Sequence, residues 1–405
     1  MKILCLDQYF STQEMPGSTR TFEMAQRLVQ KGHEVHVVTS EREGKHGSRN
    51  RWYQTEERGI QVHWFPVPYS NKMLYRDRLR AFFTFAYLAA KRGAAIKGDV
   101  IYASSTPLTI ALPAVYVSKI NRVPMVFEVR DLWPEVPIAV GALKNPMAVK
   151  AAQWLEHFAY RNSKRIVALS PGMKDGIVAT GYPKESVTVI PNCCHSQLFS
   201  RDDQRAWKLR QQYEWLQDRP LVIYTGTIGL INGIDYMARL AASVRSFDSD
   251  IRLLVLGTGR EEDKVRRLAE ELGVLNQNFF ILPPVPKSEV PCWLCAADIA
   301  TSFVIDIKLL WKNSANKFFD ALAAGKPIAI NHGGWLADIL QGEGAGLVLE
   351  VNDIDMAAKR LVSAIHDKEW LIKAGSASRK LAEERYNCDN LAAQLESELI
   401  KAVNK

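Results

Sequence analysis

Apolar runs of strand length alternate with segments of helical spacing along almost the whole chain. The runs lie at 2–6, 34–39, 61–67, 99–103, 123–129, 165–169 and 186–190, and again at 221–224, 251–256, 279–282, 299–303 and 327–331. Such alternation favours parallel sheets covered by helices on both faces. We therefore expect an α/β protein with two doubly wound, Rossmann-like domains facing each other across a cleft. Ligands should bind at the carboxyl ends of the strands.

A polar segment separates the two series of βα units. Residues 200–219 are rich in charged and amide side chains, which is typical of a linker. The sequence thus predicts a first domain over 1–200 and a second over 201–385. Residues 386–405 should form a terminal helix, and its stripe of Leu391, Leu395 and Leu399 should pack back on the first domain.

The segment 313–327 (NSANKFFDALAAGKP) predicts a short helix with a polar entrance. Ser314 is a suitable N-cap, and the first turn then holds Asn316 and Lys317, where free amides and the helix dipole favour an anion. Asp320 lies one turn further on the same face, so a phosphate and a hydroxyl-bearing ring are a plausible pair of ligands. An amphipathic core helix with a solvated Lys–Asp pair explains these residues equally well.

Two loops of the first half are candidates for ligand contacts. Gly17 and Ser18 follow the first strand in a loop without the GxGxxG fingerprint, but a glycine there still permits close approach of a ligand. Ser105 follows the strand at 99–103. Arg130 and Asp131 follow the strand at 123–129 and are the best candidates for a catalytic or acceptor-binding pair, although an ion pair that closes the loop is an equal alternative.

The chain is basic, with a formal net charge of +8 and a sequence pI near 9.0. An acidic partner is therefore expected: nucleic acid, an anionic membrane surface or a phosphorylated substrate. The segment 72–92 combines arginines with aromatic residues at helical spacing, which is typical of a helix on a membrane surface. A helix packed on the sheet with its arginines in solvent is slightly favoured over that interpretation.

The composition sets further expectations about compartment and metals. No leader peptide and no run long enough to span a bilayer are apparent. The six cysteines fit no disulfide framework, which favours a reducing cytoplasm, and the lone CxxC at 292–295 lacks the remaining ligands of a zinc site.

Several motifs together resemble retaining glycosyltransferases of family 4, which have the GT-B fold. The motifs are PGSTRTFEMAQRLVQKGHEVHVVTS, DVIYASSTP, EVRDLWPE, IVALSPGMK, VIPNC, YTGTIG, VLGTGREE and SANKFFDALAAGKPI. VRDLWPE and NKFFDALAAGKP are most similar to the bacterial subgroup that builds O-antigen, capsule or exopolysaccharide repeats. The resemblance implies transfer of an N-acetylhexosamine or deoxyhexose from a nucleotide-diphosphate donor, a UDP-sugar, to a lipid-linked or saccharide acceptor. It also implies retention at the anomeric carbon, no divalent metal and no other cofactor.

The same resemblance implies roles for individual residues. Donor contacts are expected at Thr227, Gly229, Gly259, Val285, Ser314, Asn316, Lys317 and Asp320, with the last of these on the ribose. Acceptor contacts are expected at Gly17, Ser18 and Ser105, and catalytic roles at Arg130, Asp131 and Lys317. The chain departs from the family at three places: Lys312 replaces a carboxylate, Arg130 replaces a histidine, and the usual Arg and Lys ligands of the diphosphate are missing from GTIGLING. We therefore expect Lys317 to replace them.

Two other functions remain open from the sequence. A nucleotide-sugar epimerase also uses two such domains, and a basic nucleic-acid-binding protein would explain the charge, although no nucleic-acid module is present. For the glycosyltransferase we expect a cytoplasmic protein with peripheral contact to an anionic membrane through 72–92, and no nucleic-acid partner. Leu309–Trp311 lie in a predicted loop, where packing is favoured over contact with donor or acceptor.

Overall fold

The computed structural model describes residues 1–15, 17–42, 51–70 and 73–404. These residues form two compact units. Unit 1 comprises Met1–Thr12, Gly17–Pro191 and Cys388–Lys405, and unit 2 comprises Gln13–Pro16 and Asn192–Asn387. Each unit contains its own sheet, so the predicted α/β class with two Rossmann-like domains is confirmed.

Unit 1 is built on an eight-stranded sheet in the order β3-β4-β2-β1-β5-β6-β7-β8. Its strands are β1 (Lys2–Leu6), β2 (Glu34–Glu41), β3 (Tyr53–Glu57), β4 (Ile60–Pro66), β5 (Val100–Ser104), β6 (Met125–Val129), β7 (Arg165–Ala168) and β8 (Val187–Val189). All pairs are parallel except β3 with β4. Every residue of β5 and β6 is buried, as expected for central strands covered on both faces.

The helices of unit 1 follow the strands in the usual crossover pattern. They are α1 (Arg20–Gln30), α2 (Tyr75–Ile96), α3 (Ala111–Asn121), α4 (Glu135–Ala139), α5 (Pro146–Arg161), α6 (Pro171–Ala179) and, from the end of the chain, α15 (Cys388–Val403). The C-terminal helix packs on α1, and its predicted leucine stripe is buried. Ion pairs of Arg27 with Asp389, at 2.5 Å, and of Lys31 with Glu396, at 2.7 Å, flank this contact.

Unit 2 contains a fully parallel six-stranded sheet in the order β11-β10-β9-β12-β13-β14. Its strands are β9 (Leu221–Thr225), β10 (Arg252–Leu256), β11 (Phe279–Leu282), β12 (Ile299–Ser302), β13 (Ile328–Ile330) and β14 (Gly346–Val348). Its helices are α7 (Asp203–Gln211), α8 (Ile234–Phe247), α9 (Glu262–Glu271), α10 (Val290–Ala296), α11 (Asn316–Ala323), α12 (Trp335–Glu343), α13 (Ile354–His366) and α14 (Lys368–Glu384). Two apolar clusters fill the space between this sheet and its helices.

Some local expectations need correction. The sequence YQTEE of β3 alternates between partly buried and exposed residues, so this edge strand lacks the apolar run on which the prediction depended. The segment predicted as a linker contains α7, whose N-cap Asp202 accepts a hydrogen bond from the Arg205 amide at 2.9 Å. Cys193 and Cys388 are disulfide-bonded, whereas the sequence predicted no disulfide framework.

The helix predicted to carry a basic amphipathic face begins at Tyr75. The spacing of its apolar residues predicts a buried stripe of Leu79, Phe82, Phe83, Ala86 and Ala90, of which only Ala86 is buried. Ala81, Phe85, Ala86 and Ala89 are its buried residues of apolar type, whereas Phe83 is 54% exposed. Small residues allow this face to approach α3, with which α2 makes extensive contact. The aromatic side chains of the opposite face therefore remain at the surface.

A buried ion pair connects several elements of unit 1. The Arg20 side chain on α1 donates from Nε to Glu128 of β6 at 2.8 Å, and both side chains are essentially inaccessible. Tyr102 and Ser104 of β5 donate their hydroxyls to the same carboxylate. The remaining guanidinium nitrogens of Arg20 donate to the carbonyls of residues 190 and 191 just beyond β8. Burial alone would raise the pKa of Glu128, but the charges of Arg20 and Arg130 and the hydrogen bond from Tyr102 hold it below its ordinary value.

We predict that Glu128→Gln lowers the free energy of unfolding by about 3–5 kcal/mol, because it leaves the Arg20 cation buried without a counter-charge. The double variant Arg20→Met/Glu128→Leu should recover much of that loss, since neither charge then remains. Urea unfolding followed by circular dichroism measures both. Glu56→Gln, at an exposed position, is the control and should change stability by less than about 0.5 kcal/mol. A double variant as unstable as the single one would contradict this account.

Candidate functional site

In unit 2, the loops after β9 and β10 lie directly against each other. The amide of Gly226 donates to the carbonyl of Leu256, and the amide of Ile228 donates to that of Thr258, both at 3.0 Å. A Cβ atom on Gly259 would lie only 2.2 Å from the Ile228 carbonyl oxygen. Packing of the two loops therefore requires glycine at 259. The sequence predicted a contact with the sugar donor at the same residue.

Lys317 lies in the first turn of α11 and reaches the end of β9. Its ammonium group is 4.9 Å from the centroid of the Tyr224 ring, and its Cε would be 3.1 Å from a Cβ atom at Gly226. Gly226 has a φ of +146° and leaves the space that the lysine stem occupies. Burial lowers the pKa of Lys317 to about 8, against the opposing effect of Asp320. A cation thus stands at the carboxyl end of a central strand.

The predicted N-cap of this helix is wrong. Ala315 is the residue that precedes the first turn of α11, and no side chain caps the helix. Ser314 instead accepts hydrogen bonds from Asn192: its hydroxyl from the amide at 3.3 Å, and its carbonyl from the side-chain amide at 2.6 Å. Ala315 provides no side-chain oxygen for the first-turn amides, which Asn316 and Lys317 contribute.

Asp320 forms its ion pair with a residue that the sequence did not indicate. Lys287 donates to its carboxylate at 2.5 Å, and both side chains are mostly buried. The Lys287 ammonium also lies 5.4 Å from the centroid of the Phe199 ring. Lys287 is 33 residues from Asp320 along the chain, and no local pattern connects them.

The other donor candidates of unit 2 have structural roles as well. The Thr227 carbonyl accepts from the Tyr224 hydroxyl at 2.9 Å and from the Asn232 side chain at 2.8 Å, which fixes the turn that contains Gly229. Val285 packs against the apolar core while remaining partly exposed.

The segment around Trp311 is a short 3₁₀ helix, Lys308–Lys312, where the sequence predicted a loop. Leu310 is buried, and the Trp311 ring lies under the turn at Gly333 and Gly334, where a Cβ on Gly333 would be 3.1 Å from the ring. Packing thus accounts for both apolar residues. Lys312, at the end of this helix, remains partly exposed.

In unit 1, the structure brings together three of the predicted residues. The Arg130 guanidinium donates to the Ser18 hydroxyl at 2.6 Å, and the Arg130 amide donates to the Ser105 hydroxyl at 3.1 Å. The same guanidinium lies 4.0 Å from the carboxylate of Asp7. Arg130 is therefore held by hydroxyls, and its nearest carboxylate lies at the limit of ion-pairing distance.

Two carboxyl groups border this arrangement. Asp131 accepts a hydrogen bond from the Thr106 hydroxyl at 3.2 Å, and Asp7 accepts from the Thr21 hydroxyl at 2.5 Å. Burial raises the pKa of both carboxyls, although the neighbouring Arg130 opposes the shift. Asp131 is the predicted catalytic residue, and Asp7 is one that the sequence did not indicate.

Ser18, Thr106 and Arg130 line a cavity of about 440 Å³. Its lining residues all lie in loops that follow strands of the unit 1 sheet: Tyr9, Ser18, Arg42, Tyr69, Ser70, Thr106 and Arg130. The sequence indicated only Ser18 and Arg130. The others could have been found by applying the strand-end rule to β2 and β4 as well, because Arg42 comes directly after β2 and Tyr69 soon after β4.

Gly17 adjoins the same cavity. It has a φ of +126°, and a Cβ atom there would be 3.2 Å from the Ser11 hydroxyl and 3.8 Å from the Arg42 guanidinium. A side chain at this position would therefore strain the backbone and crowd the Ser11 hydroxyl.

Two family models match consecutive parts of the chain. Residues 17–193 match a glycosyl transferase 4-like domain, and residues 205–381 match the glycosyl transferases group 1. Together the two matches cover most of both units. The chain belongs to the GT-B glycosyltransferases.

Relatives of this glycosyltransferase are distant. A GDP-mannose-dependent α-(1-6)-phosphatidylinositol monomannoside mannosyltransferase of Mycobacterium tuberculosis is 25% identical over 53% of this chain, which spans only 55% of that relative's length. The putative colanic acid biosynthesis glycosyl transferase WcaI of Escherichia coli K12 is 25% identical over 70% of this chain and 72% of its own length.

The fold is shared with a solved structure. The crystal structure of Anabaena HepE in complex with UDP-glucose has a TM-score of 0.75 and 17% identity, and the match covers 99% of this chain and 100% of that one. Neither the epimerase nor the nucleic-acid-binding alternative is favoured by these similarities.

Two searches of the described residues bear on membrane and metal. Within 1–15, 17–42, 51–70 and 73–404, no helix has the length and apolar character needed to cross a bilayer. In the same part of the chain, no three His, Cys, Asp or Glu side chains cluster so as to hold a metal ion.

We predict that affinity for UDP falls as the pH rises through about 8, because Lys317, which we propose as a ligand of the diphosphate, then loses its proton. One unit above its pKa only about a tenth of the lysine is charged, so affinity should fall about tenfold between pH 7 and 9. Titration calorimetry at several pH values measures this. Lys317→Arg should abolish the fall because arginine keeps its proton, and Lys264→Ala, at an exposed site on α9, should leave the profile unchanged. If Lys317→Arg showed the same pH profile as the wild type, the fall in affinity could not be assigned to Lys317.

Proposed function

We propose that the protein is a retaining glycosyltransferase of surface polysaccharide biosynthesis. It moves a sugar, an N-acetylhexosamine or a deoxyhexose, from a UDP-sugar to a lipid-linked or saccharide acceptor. The observation that carries this proposal is the placement of Lys317 beside the Gly226 turn, in the first turn of a helix that no side chain caps. Membership of the glycosyltransferases supports the reaction type.

The site in unit 2 suits a nucleotide diphosphate. Lys317 and the first amides of α11 provide positive charge and hydrogen-bond donors for the diphosphate. Asp320, oriented by Lys287, provides a carboxylate that can accept hydrogen bonds from ribose hydroxyls. Lys317 thus takes the role of the cations that are missing after β9.

The proposed reaction is a displacement on one face of the donor sugar. The bond between the anomeric carbon and the diphosphate oxygen breaks, and its electron pair leaves with the diphosphate. The acceptor hydroxyl forms the new bond to the anomeric carbon on the same face and passes its proton to the departing phosphate oxygen. Negative charge accumulates on the diphosphate, so the Lys317 cation stabilises the transition state most directly.

The residues around the cavity in unit 1 are assigned to the acceptor. Gly17 and Ser18 flank its entrance, and Arg130, which Ser18 and Ser105 hold, orients the acceptor. The raised pKa of Asp131 places a carboxyl group that can exchange a proton beside this group of hydroxyls.

The nucleotide is the part of the proposal that experiment can decide most directly. One relative is named for GDP-mannose, and a solved neighbour contains UDP-glucose. We expect UDP-sugars, and not GDP-sugars, to raise the melting temperature of the purified protein, because a ligand that binds only the folded state stabilises it.

Transfer itself is tested with that donor and lipid-linked saccharides extracted from the producing cells. We expect UDP to be released only when acceptor is present, and the product to retain the anomeric configuration of the donor, as read from the anomeric proton coupling. Lys317→Ala should lower the rate about 100- to 1,000-fold, and Lys264→Ala should leave it unchanged. GDP release would refute the UDP assignment, and an inverted product would refute retention. A new donor epimer formed without acceptor would establish the epimerase alternative.

The surface of α2 supports peripheral membrane contact as part of this proposal. Leu74, Phe83 and Tyr87 are more than half exposed, and the exposed Lys91 lies 4.5 Å from the centroid of the Tyr87 ring. Exposed aromatic residues among basic side chains suit an anionic bilayer surface. A lipid-linked acceptor would be reached from that surface, which we place at the cytoplasmic leaflet.

We predict that Phe83→Ser/Tyr87→Ser lowers the fraction of protein that floats with vesicles containing phosphatidylglycerol by about tenfold. The expected loss follows from the apolar area withdrawn from the membrane. Trp207→Ser, which removes an aromatic side chain 57% exposed on unit 2, is the matched control and should float like the wild type. Equal flotation of all three proteins would refute the contact through α2.

A further inference from the structure

Two arginines line the cavity of unit 1 without forming a close ion pair in the described part of the chain. Arg42 donates to the Ser11 hydroxyl at 2.9 Å and lies over the Tyr9 ring at 5.8 Å, and no ion pair joins it to a carboxylate in the described part of the chain. Arg130 has its nearest carboxylate, Asp7, at the limit of ion-pairing distance, 4.0 Å. Both guanidinium groups line the cavity.

Arg20 of the same unit has the contacts of a purely structural arginine. Its Nε is 2.8 Å from Glu128, and its other nitrogens donate to two backbone carbonyls. Arg42 and Arg130 instead line the cavity, and their side-chain partners are the hydroxyls of Ser11 and Ser18. Cations arranged in this way leave donors available for an anion that enters from solution.

The other residues that line the cavity suit an anion that carries an apolar or sugar group. The hydroxyl-bearing residues Ser18, Ser70 and Thr106 stand among its lining residues. Tyr9 and Tyr69 lie with ring centroids 4.8 Å apart and form an aromatic wall. The volume of about 440 Å³ is in the range of small-molecule sites.

We propose that this cavity binds the phosphate or diphosphate group that joins a saccharide acceptor to its lipid, between the guanidinium groups of Arg42 and Arg130. The inference rests on the proposed function, because it names the chemical class of its acceptor. Two guanidinium groups from separate loops, with hydroxyls between them, offer more donors than one carboxylate can accept, whereas a diphosphate has enough oxygens for all of them. The tyrosine wall then meets the apolar or sugar group attached to the phosphate.

The test uses the full chain and four probes in titration calorimetry: geranyl diphosphate, geraniol, methyl glucuronide and UDP. We expect geranyl diphosphate to bind and geraniol not to bind at the same concentrations. Arg42→Gln and Arg130→Gln should each weaken the binding of geranyl diphosphate about tenfold, as expected for loss of one charge-assisted hydrogen bond. Arg161→Gln, which removes an exposed arginine at the end of α5, is the matched control and should bind like the wild type. Lys317→Ala should weaken UDP binding and leave geranyl diphosphate unaffected.

The outcomes separate this inference from the proposed function. If UDP binds but geranyl diphosphate does not, the inference fails and the proposed function stands. The same conclusion follows if UDP binds and geranyl diphosphate binds Arg42→Gln as well as it binds the wild type. Binding of methyl glucuronide that depends on both arginines, without binding of geranyl diphosphate, would assign the cavity to a sugar acid and also overturn the inference. If UDP fails to bind, the proposed function fails, and the dependence of geranyl diphosphate on Arg42 is still measured independently. Melting temperatures of all variants show that each remains folded.

Discussion

The buried ion pair of Arg20 and Glu128 determines how the ligand-facing edge of unit 1 is assembled. It joins α1 to β6, while hydroxyls of β5 and the carbonyls beyond β8 share its remaining donors and acceptors. Four elements distant in sequence are thus fixed to one point near the carboxyl ends of the strands. Two buried charges are costly unless each is fully hydrogen-bonded, so this network strongly restricts alternative arrangements of those strand ends.

That restriction matters because the adjoining loops carry the candidate chemistry. Ser105 and Arg130 directly follow β5 and β6, the two strands that supply Glu128 and its hydroxyl partners. Ser18 stands just before α1, which carries Arg20. Side chains on short loops between firmly held elements keep their positions with little entropy to lose when a ligand binds. The cavity therefore presents Arg130 in a prearranged form.

In unit 2, backbone packing determines where the candidate cation Lys317 lies. Glycines at 226 and 259 let two strand-end loops hydrogen-bond to each other, and the space beside Gly226 receives the Lys317 stem. The cation comes from α11 and not from the loop after β9. A phosphate site depends on where charge and amides meet in space, so a different element can supply the charge. Asp320 likewise forms its ion pair with a residue from another element, Lys287, and not with Lys317 one turn away.

Alternation of apolar runs and helical spacing determined the α/β class and most strands, because buried parallel strands must be apolar throughout. The rule about strand ends indicated Ser18, Ser105 and Arg130 as candidates, and the predicted first turn of a helix indicated Lys317. Tertiary structure alone decided the partners of these residues: Lys287 for Asp320, Asn192 for Ser314, and Arg42 beside Gly17. Such contacts join residues far apart in the chain, and their geometry depends on the packing of whole elements. A sequence pattern can specify which face or strand end a side chain occupies, but not which distant side chain meets it there.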